Sequence, residues 1–391
     1  MKKRYILGLI VLLFFLVIIY PNSGLRFETL NAKNIRTENR NITTIPEGSW
    51  TKKDFYRQLE LWYQDRLALR ARAIDIWWKY QYEWFGVVRD PNIVLAEDGW
   101  MLDKKNSPKR FIAKEEKIKR ILEIKNFCEE NGAEFIVLIP PYKETIYREK
   151  FPEYFRRATP NPLDFHREFD RLCIENHINN VEVSDVLMDA KKNGNDLYFK
   201  DDHHWSYYGA ALAGDLLLKE ISKLLGVQIY DGMNLYNCKA EAFKECSYAN
   251  AIKKEAKNRT EAPWDEKFTK EIYLRDCDTG KENKVNGVVS NDLLYPHLTK
   301  DEAVIVNKTI QNDLTILVLG DSYSSYMAPY VTQYVNCWAA THYRGCSGKK
   351  KNANLKYLID RYHPRVVLLE IQGPFFLNGE AKRIFENFVI E

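Results

Sequence analysis

Leu314-Thr315-Ile316-Leu317-Val318-Leu319-Gly320-Asp321-Ser322-Tyr323 is the stretch that decides how this chain folds. A nearly continuous apolar run of this length, with no polar alternation, reads as a strand buried on both faces. Gly320 and Asp321 end it, and aspartate favours the position just before a helix. A serine in such a turn projects its hydroxyl, while its backbone N–H lies near a helix N-terminus and can stabilise a developing oxyanion. Taken alone, Gly-Asp-Ser also fits an ordinary strand-to-helix turn with capping residues.

Working outward from this strand, the same rhythm recurs on both sides. Lys114 to Asn131 reads as a helix stopped at Gly132, and Phe135 to Ile139 as a buried strand stopped by Pro140-Pro141. Asp164 to Asn176 is helical in pattern, Val181 to Val183 is a short strand, and Ser206 to Leu225 is a strongly amphipathic helix. Downstream, a helix over 324–334, a strand near 337–339, a helix over 354–362 and the strand Val366 to Leu369 follow. Apolar strands separated by helices predict an α/β domain with a parallel central sheet covered on both faces. The active site of such a sheet lies beyond the carboxyl ends of its strands. Pro140-Pro141-Tyr142-Lys143, Asp202 to Trp205, Asp321-Ser322 and Glu370-Ile371-Gln372 all fall where such ends are expected. Residues 226–311 break the rhythm and read as an insertion at the domain surface, a lid or substrate-binding flap. Ile93 to Leu95 and Trp100 to Leu102, about the turn Glu97-Asp98-Gly99, predict a small hairpin.

The N-terminus predicts topology. Tyr5 to Tyr20 carries no charge and follows Lys2, Lys3 and Arg4. As a helix it spans roughly 24 Å, which reaches across a ~30 Å hydrocarbon core with snorkelling flanks. Val17-Ile18-Ile19-Tyr20-Pro21-Asn22 lacks a small-x-small cleavage site, so an uncleaved anchor is favoured over a signal peptide. The positive-inside rule leaves residues 1–4 in the cytoplasm and the catalytic domain outside the cell membrane. Residues 21–90 then read as a polar tether followed by a lead-in of one or two amphipathic helices between Thr51 and Phe85, rich in tryptophan. The catalytic domain occupies 91–391.

Composition narrows the function. The 391 residues are 45% hydrophobic and carry a net charge of +4, with no concentrated basic face of the kind a nucleic-acid binder shows. The nine Trp and 24 Tyr suit a packed core or flat surfaces for stacking on sugars. The seven cysteines fit no metal spacing. Cys337 with Cys346, or Cys238 with Cys246, are candidate disulfides, and Cys128 and Cys173 sit in apolar settings that suit buried thiols.

The second motif is Asp202-His203-His204-Trp205. A serine hydroxyl is a weak nucleophile until a base removes its proton. An aspartate two residues from a histidine can accept its Nδ1–H and fix the tautomer, leaving Nε2 for the serine proton. Two adjacent histidines and two aspartates also raise a zinc site. Adjacent histidine side chains diverge, however, and no third ligand stands at helical spacing, so neither metal nor cofactor is expected.

With these motifs in place, the sequence resembles the DHHW family and, more broadly, the SGNH-hydrolase-like domain of the alginate O-acetyltransferases. The matching pieces are the N-terminal anchor, the Trp-rich helices, Glu97 to Leu102, Ile139 to Lys143, Asp202 to Trp205 and Gly320 to Tyr323. They span about 55 to 375, and the Asp-x-His motif precedes the serine, the reverse of common SGNH esterases. The resemblance implies a three-layer α/β domain in which Ser322 is the nucleophile, His204 the general base and acid, and Asp202 its orienter. It implies transfer of acetyl groups to an exported or cell-surface polysaccharide, with a multispanning membrane acyltransferase as donor. An acetyl esterase of the same glycan class and a non-catalytic glycan-binding component are the alternatives. The sequence departs from the SGNH pattern where the block glycine and asparagine should complete the oxyanion hole, and the resemblance assigns neither, which leaves the Ser322 N–H as the assigned donor. Lys143, Trp205, Tyr326, Arg344 and Gln372 are candidate substrate-binding residues.

Overall fold

The computed structural model describes residues 8, 9, 12, 13, 50, 53–66, 70–88, 90–106, 114–159, 161–229, 271–277, 279–285, 302–342 and 354–373. The anchor expected over 5–20 lies, apart from four residues, outside the described residues, as does Arg344. Among the described residues no helix is long and apolar enough to cross a membrane. The chain forms two compact units, Met1–Arg89 and Asp90–Glu391.

In the first unit, helices α1 (Lys53–Arg66) and α2 (Arg70–Phe85) occupy the lead-in expected to be helical. On α2 the rings of Trp77, Tyr80 and Trp84 follow one another at 6.1 and 6.0 Å, and all three are exposed.

The second unit opens with the expected hairpin, β1 (Ile93–Leu95) and β2 (Met101–Asp103), antiparallel and closed by a turn in which Asp98 adopts φ 57°. Helix α3 (Lys114–Glu130) ends at Gly132, whose φ of +80° a residue with a Cβ adopts only under strain. There follow β3 (Glu134–Leu138), α4 (Pro162–Glu175), β4 (Asn179–Asn180), α5 (Ser184–Lys192) and α6 (Tyr207–Leu225). Strands β5 (Ile272–Arg275), β6 (Glu282–Lys284) and β7 (Glu302–Asn307) precede β8 (Thr315–Gly320). Then come α7 (Ser322–Val331), β9 (Cys337–His342), α8 (Leu355–Tyr362) and β10 (Val366–Glu370).

One sheet has the order β4-β3-β10-β8-β9-β7-β5-β6. From β4 to β9 every pairing is parallel, and β8 lies inside this run between β10 and β9. The sheet is not parallel throughout, which corrects the expectation. β7 pairs antiparallel with β9, β5 with β7, and β6 with β5. The region read as a surface insertion over 226–311 therefore supplies three strands of the central sheet. Every residue of β7 is buried. The sequence concealed this because the apolar stretch of β7, Ala303-Val304-Ile305-Val306, lies beyond a long polar stretch, and β5 and β6 are short.

Successive residues of the central strands enter opposite cores, as the twofold period of a strand requires. Ile136, Leu138, Ile316, Val318, Val366 and Leu368 face one core, with α6 and α7. Phe135, Val137, Leu317, Leu319, Val367 and Leu369 face the other, with α3, α4 and α8. Helices thus cover both faces, and the domain has three layers. A Cβ on Gly214 of α6 would lie 2.8 Å from the ring of Tyr330 on α7, so glycine lets these two helices approach closely. This contact brings the segments preceding each helix together. Cys128, Cys173 and Cys337 are buried free thiols, and Cys346, the candidate partner of Cys337, lies outside the described residues, as do Cys238 and Cys246.

Candidate active site

Ser322 opens α7 directly after β8. Asp321 caps the helix, its Oδ1 accepting the Tyr323 N–H at 2.9 Å. The aspartate does what its position in the sequence forecast.

The histidine motif occupies a loop pinched at its base by a bridge between Tyr198 and Trp205. The Phe199 N–H donates to the His204 carbonyl at 3.2 Å, and the Ser206 N–H to the Leu197 carbonyl at 2.8 Å. Lys143, fully buried, fastens the loop from beneath, its Nζ donating to the carbonyls of Phe199, Lys200 and Asp202 at 3.1, 3.0 and 2.6 Å. A cation with three convergent carbonyls meets the requirement that a buried charge be hydrogen-bonded. Ser206 then caps α6, accepting the Gly209 N–H at 3.2 Å.

Across 118 residues of sequence, His204 Nε2 lies 2.6 Å from Ser322 Oγ. On the other side of the ring, His204 Nδ1 lies 2.8 Å from Asp202 Oδ1, which also accepts the His204 N–H at 3.0 Å. With Nδ1–H donating to the carboxylate, Nε2 is left to accept the serine proton; the hydrogen-bond network assigns this tautomer. All three side chains are buried, with Ser322 and His204 retaining 8% and 9% of their surface. Burial alone would raise the Asp202 carboxyl, but the charges of His204 and His203 and hydrogen bonds from both rings hold it well below the usual range.

His203 completes the cluster. Its Nδ1 lies 3.1 Å from the same Asp202 oxygen, and its ring packs on that of His204 at 3.9 Å. The two imidazoles do not diverge as expected for neighbours. Asp202, His203 and His204 each place one potential metal-ligating atom within 4.8 Å of the others. Asp202 Oδ1 and His204 Nε2 are already engaged within the protein, and Ser322 is not a metal-type partner for the histidine. The donor set fits proton transfer better than metal binding.

The candidate substrate-binding residues separate. Lys143 is spent on the loop carbonyls. Trp205 is fully buried, its Nε1 donating to the Tyr323 carbonyl at 3.1 Å, and serves as a strut instead of an exposed stacking platform. Tyr326, 1% exposed, sets its ring 4.9 Å from that of His204. Gln372 lies just past β10, where its N–H donates to Asp321 Oδ2 at 3.0 Å while its buried Oε1 has no hydrogen-bond partner. Two residues that the sequence reading placed only within strand-end segments have roles it did not assign. Tyr323 donates its hydroxyl to the His203 carbonyl at 2.6 Å and packs its ring 5.2 Å from His204. Glu370 lies fully buried under the serine turn. The legible signal for Glu370 was a single acid closing an apolar strand; Tyr323 offered none.

The described residues form a three-layer α/β domain with an acid, an imidazole and a serine hydroxyl in line, and its similarities point to one fold type, the SGNH-hydrolase-like domain. Residues 93–266 match the family described as SGNH hydrolase-like domain, acetyltransferase AlgX. The matched range carries the Asp-His-His-Trp motif and stops before the Gly-Asp-Ser turn. A probable alginate O-acetylase AlgJ from Pseudomonas fluorescens is 23% identical over 186 residues, which cover 46% of this chain and 44% of that protein. The chain thus spans less than half the length of the curated relatives it matches. Among solved structures, Bacillus cereus PatB1 with a sulfonyl adduct superposes with a TM-score of 0.51 at 19% identity, covering 76% of this chain and all of that one. A DHHW family protein from Eubacterium siraeum has a TM-score of 0.51 at 13% identity, covering 78% of this chain and 98% of that one. The similarity to the alginate O-acetyltransferase type and to the DHHW family, read from the motifs, holds in these comparisons.

Proposed function

We propose that this protein is an extracytoplasmic O-acetyltransferase that carries an acetyl group on Ser322 and delivers it to a hydroxyl of an exported or cell-surface polysaccharide. One observation carries the reading: the in-line arrangement of Asp202, His204 and Ser322, with 2.8 and 2.6 Å between successive partners. The alginate O-acetylases among its relatives favour acetyl as the group and polysaccharide as the acceptor. The apolar run 5–20 would anchor the chain in the cell membrane, and a multispanning membrane acyltransferase would supply the acetyl group.

In the first half-reaction His204 Nε2 takes the proton from Ser322 Oγ as that oxygen attacks the donor's acetyl carbon. The carbonyl oxygen becomes an oxyanion facing the Ser322 N–H at the start of α7. Collapse expels the donor's leaving group, which takes the proton from His204 and leaves acetyl-Ser322. In the second half, His204 accepts the proton of a sugar hydroxyl as its oxygen attacks the ester. Return of that proton to Ser322 Oγ frees the enzyme and the acetylated sugar. Asp202 stays ionised throughout, stabilising the imidazolium.

The test uses a chromogenic acetyl ester with and without oligosaccharide acceptors. Acetylated oligosaccharide in the products is the expected result; acetate alone, with every acceptor, would assign the protein to the esterases instead. A sulfonyl fluoride should attach to Ser322, and to no residue of Ser322→Ala, as read by mass spectrometry.

A further inference from the structure

Beneath the serine turn two carboxyl groups meet in a buried setting that the acetyl-transfer scheme does not use. Glu370, at the end of β10, is fully buried, and Asp321 retains 1% of its surface. Glu370 Oε2 accepts the N–H of Asp321 at 3.1 Å and that of Ser324 at 3.2 Å. Asp321 accepts the N–H of Tyr323 at 2.9 Å on Oδ1 and that of Gln372 at 3.0 Å on Oδ2. The amides of 321, 323 and 324 are therefore all held by one acid or the other. Neither acid accepts the N–H of Ser322. Gly320 permits the arrangement, since a Cβ there would lie 2.9 Å from Glu370 Oε2.

The remaining oxygen, Glu370 Oε1, is buried and receives no donor. A bare carboxylate oxygen in that setting, beside a second carboxylate, is an arrangement proteins avoid. A proton on the glutamate resolves it, because the carboxyl is then neutral and can share its hydrogen with the neighbouring Asp321 side chain. We propose that Asp321 and Glu370 share a single proton and act as a positioning pair, fixing the peptide planes on both sides of Ser322 so that its N–H stays aimed at the reacting carbonyl. This role rests on the acyl-transfer reading of Ser322; the shared proton does not.

The groups facing the pair give the same balance. Burial, followed by the charge of Asp321, raises the Glu370 carboxyl well above the usual range. Burial raises Asp321 to about 6, with the Gln372 and Tyr323 amides, the charge of His203 and the hydrogen bond from Glu370 opposing. The proton thus belongs on Glu370 and the charge on Asp321.

Glutamine reproduces a protonated glutamate, accepting through its oxygen and donating through its amide, and cannot ionise. This makes Glu370→Gln the decisive variant. Infrared difference spectra of the full chain near neutral pH, wild type minus Glu370→Gln, should show the carbonyl stretch of a protonated carboxyl. Its absence overturns the shared proton, and the measurement needs no turnover. In a pH profile of Ser322 acetylation by a chromogenic acetyl ester, the wild type should lose rate on the alkaline side as the pair becomes doubly charged. Glu370→Gln should keep its rate there; an identical fall in both variants overturns the proposal. Glu370→Ala should lower kcat roughly a hundredfold with KM little changed, on the scale of one oxyanion donor, and Glu370→Gln should restore most of it. Equal kcat in wild type and Glu370→Ala would reduce the glutamate to a structural part. Should Glu370→Ala fail to fold, the glutamine variant alone decides. A wild type that never acetylates Ser322 defeats the acetyl-transfer reading, while the infrared band still decides the shared proton.

Discussion

Asp202 and Asp321 are the same residue type, equally buried, and flank the same serine, yet their acidities move in opposite directions. Asp202 faces two imidazoles, whose charge and hydrogen bonds overcome burial and hold it ionised well below the usual range. Asp321 faces a carboxyl, and burial pushes it up to about 6 despite two backbone donors. Burial raises both acids, and the outcome turns on what opposes it: two imidazoles overturn it at Asp202, whereas the donors around Asp321 only moderate it. Under the proposed acetyl transfer, one acid would stabilise the imidazolium formed at His204. The other, with Glu370, holds backbone in place and is described better as part of the scaffold.

The largest expected effects test the imidazole side. His204→Ala should lower acetyl transfer by roughly 10⁵-fold, since the serine loses its base; a fall under tenfold in single-turnover kinetics would detach the histidine from the chemistry. Asp202→Asn should cost about 10⁴-fold with the fold intact, because an amide no longer selects the Nδ1–H tautomer. Asp321→Asn tests the other side and should cost less, roughly ten- to a hundredfold in kcat. The caps on Tyr323 and Gln372 weaken, while the serine, histidine and Asp202 remain. If Asp321→Asn proved as damaging as Asp202→Asn, the division between chemistry and scaffold would fall.

The smallest effect is on stability and differs in sign between the two sides. The Asp202 carboxyl is depressed in the fold, so its contribution is present above the unfolded value near 3.8 and is lost as pH falls through the folded value. The Asp321 carboxyl is raised, so its contribution is fully present below about 3.8 and is lost as pH rises through about 6. The Glu370 carboxyl is raised as well, so melting curves of the full chain from about pH 2 to 8 should show Glu370→Gln gaining on the wild type as pH rises. Asp202→Asn should instead gain on the wild type as pH falls below about 3.8, where the wild type loses the contribution of its ionised carboxylate. Parallel curves for all three proteins would show that neither acid shifts between the folded and unfolded states.

Much of this architecture could be read from the chain because its central strands are continuous apolar runs and its helices are amphipathic. Strands β3, β8 and β10 and helices α3, α4 and α6 lie within a few residues of their expected ranges. The antiparallel strands β5 and β6 escaped because they are short, and β6, Glu282-Asn283-Lys284, is wholly polar. The Ser322, His204 and Asp202 constellation was legible because the chemistry demands those side chains near a strand end. For Lys143 and Trp205 the sequence left a pocket role and a structural role equally open, because a lysine and a tryptophan beside a site look like ligands until their partners are known. Both are spent on the protein's own carbonyls. Glu370 was hidden because its meaning comes from Asp321, 49 residues earlier in the chain.

Between the histidine loop and the serine helix two bonds run in opposite directions. The Tyr323 hydroxyl donates to the His203 carbonyl, and the Trp205 indole donates to the Tyr323 carbonyl. This reciprocal latch closes a ring of about 120 residues, whose closure entropy grows only logarithmically with length. A change in the number of residues joining the two motifs should thus shift the closure cost of the latch by only about 0.6 kcal/mol per doubling.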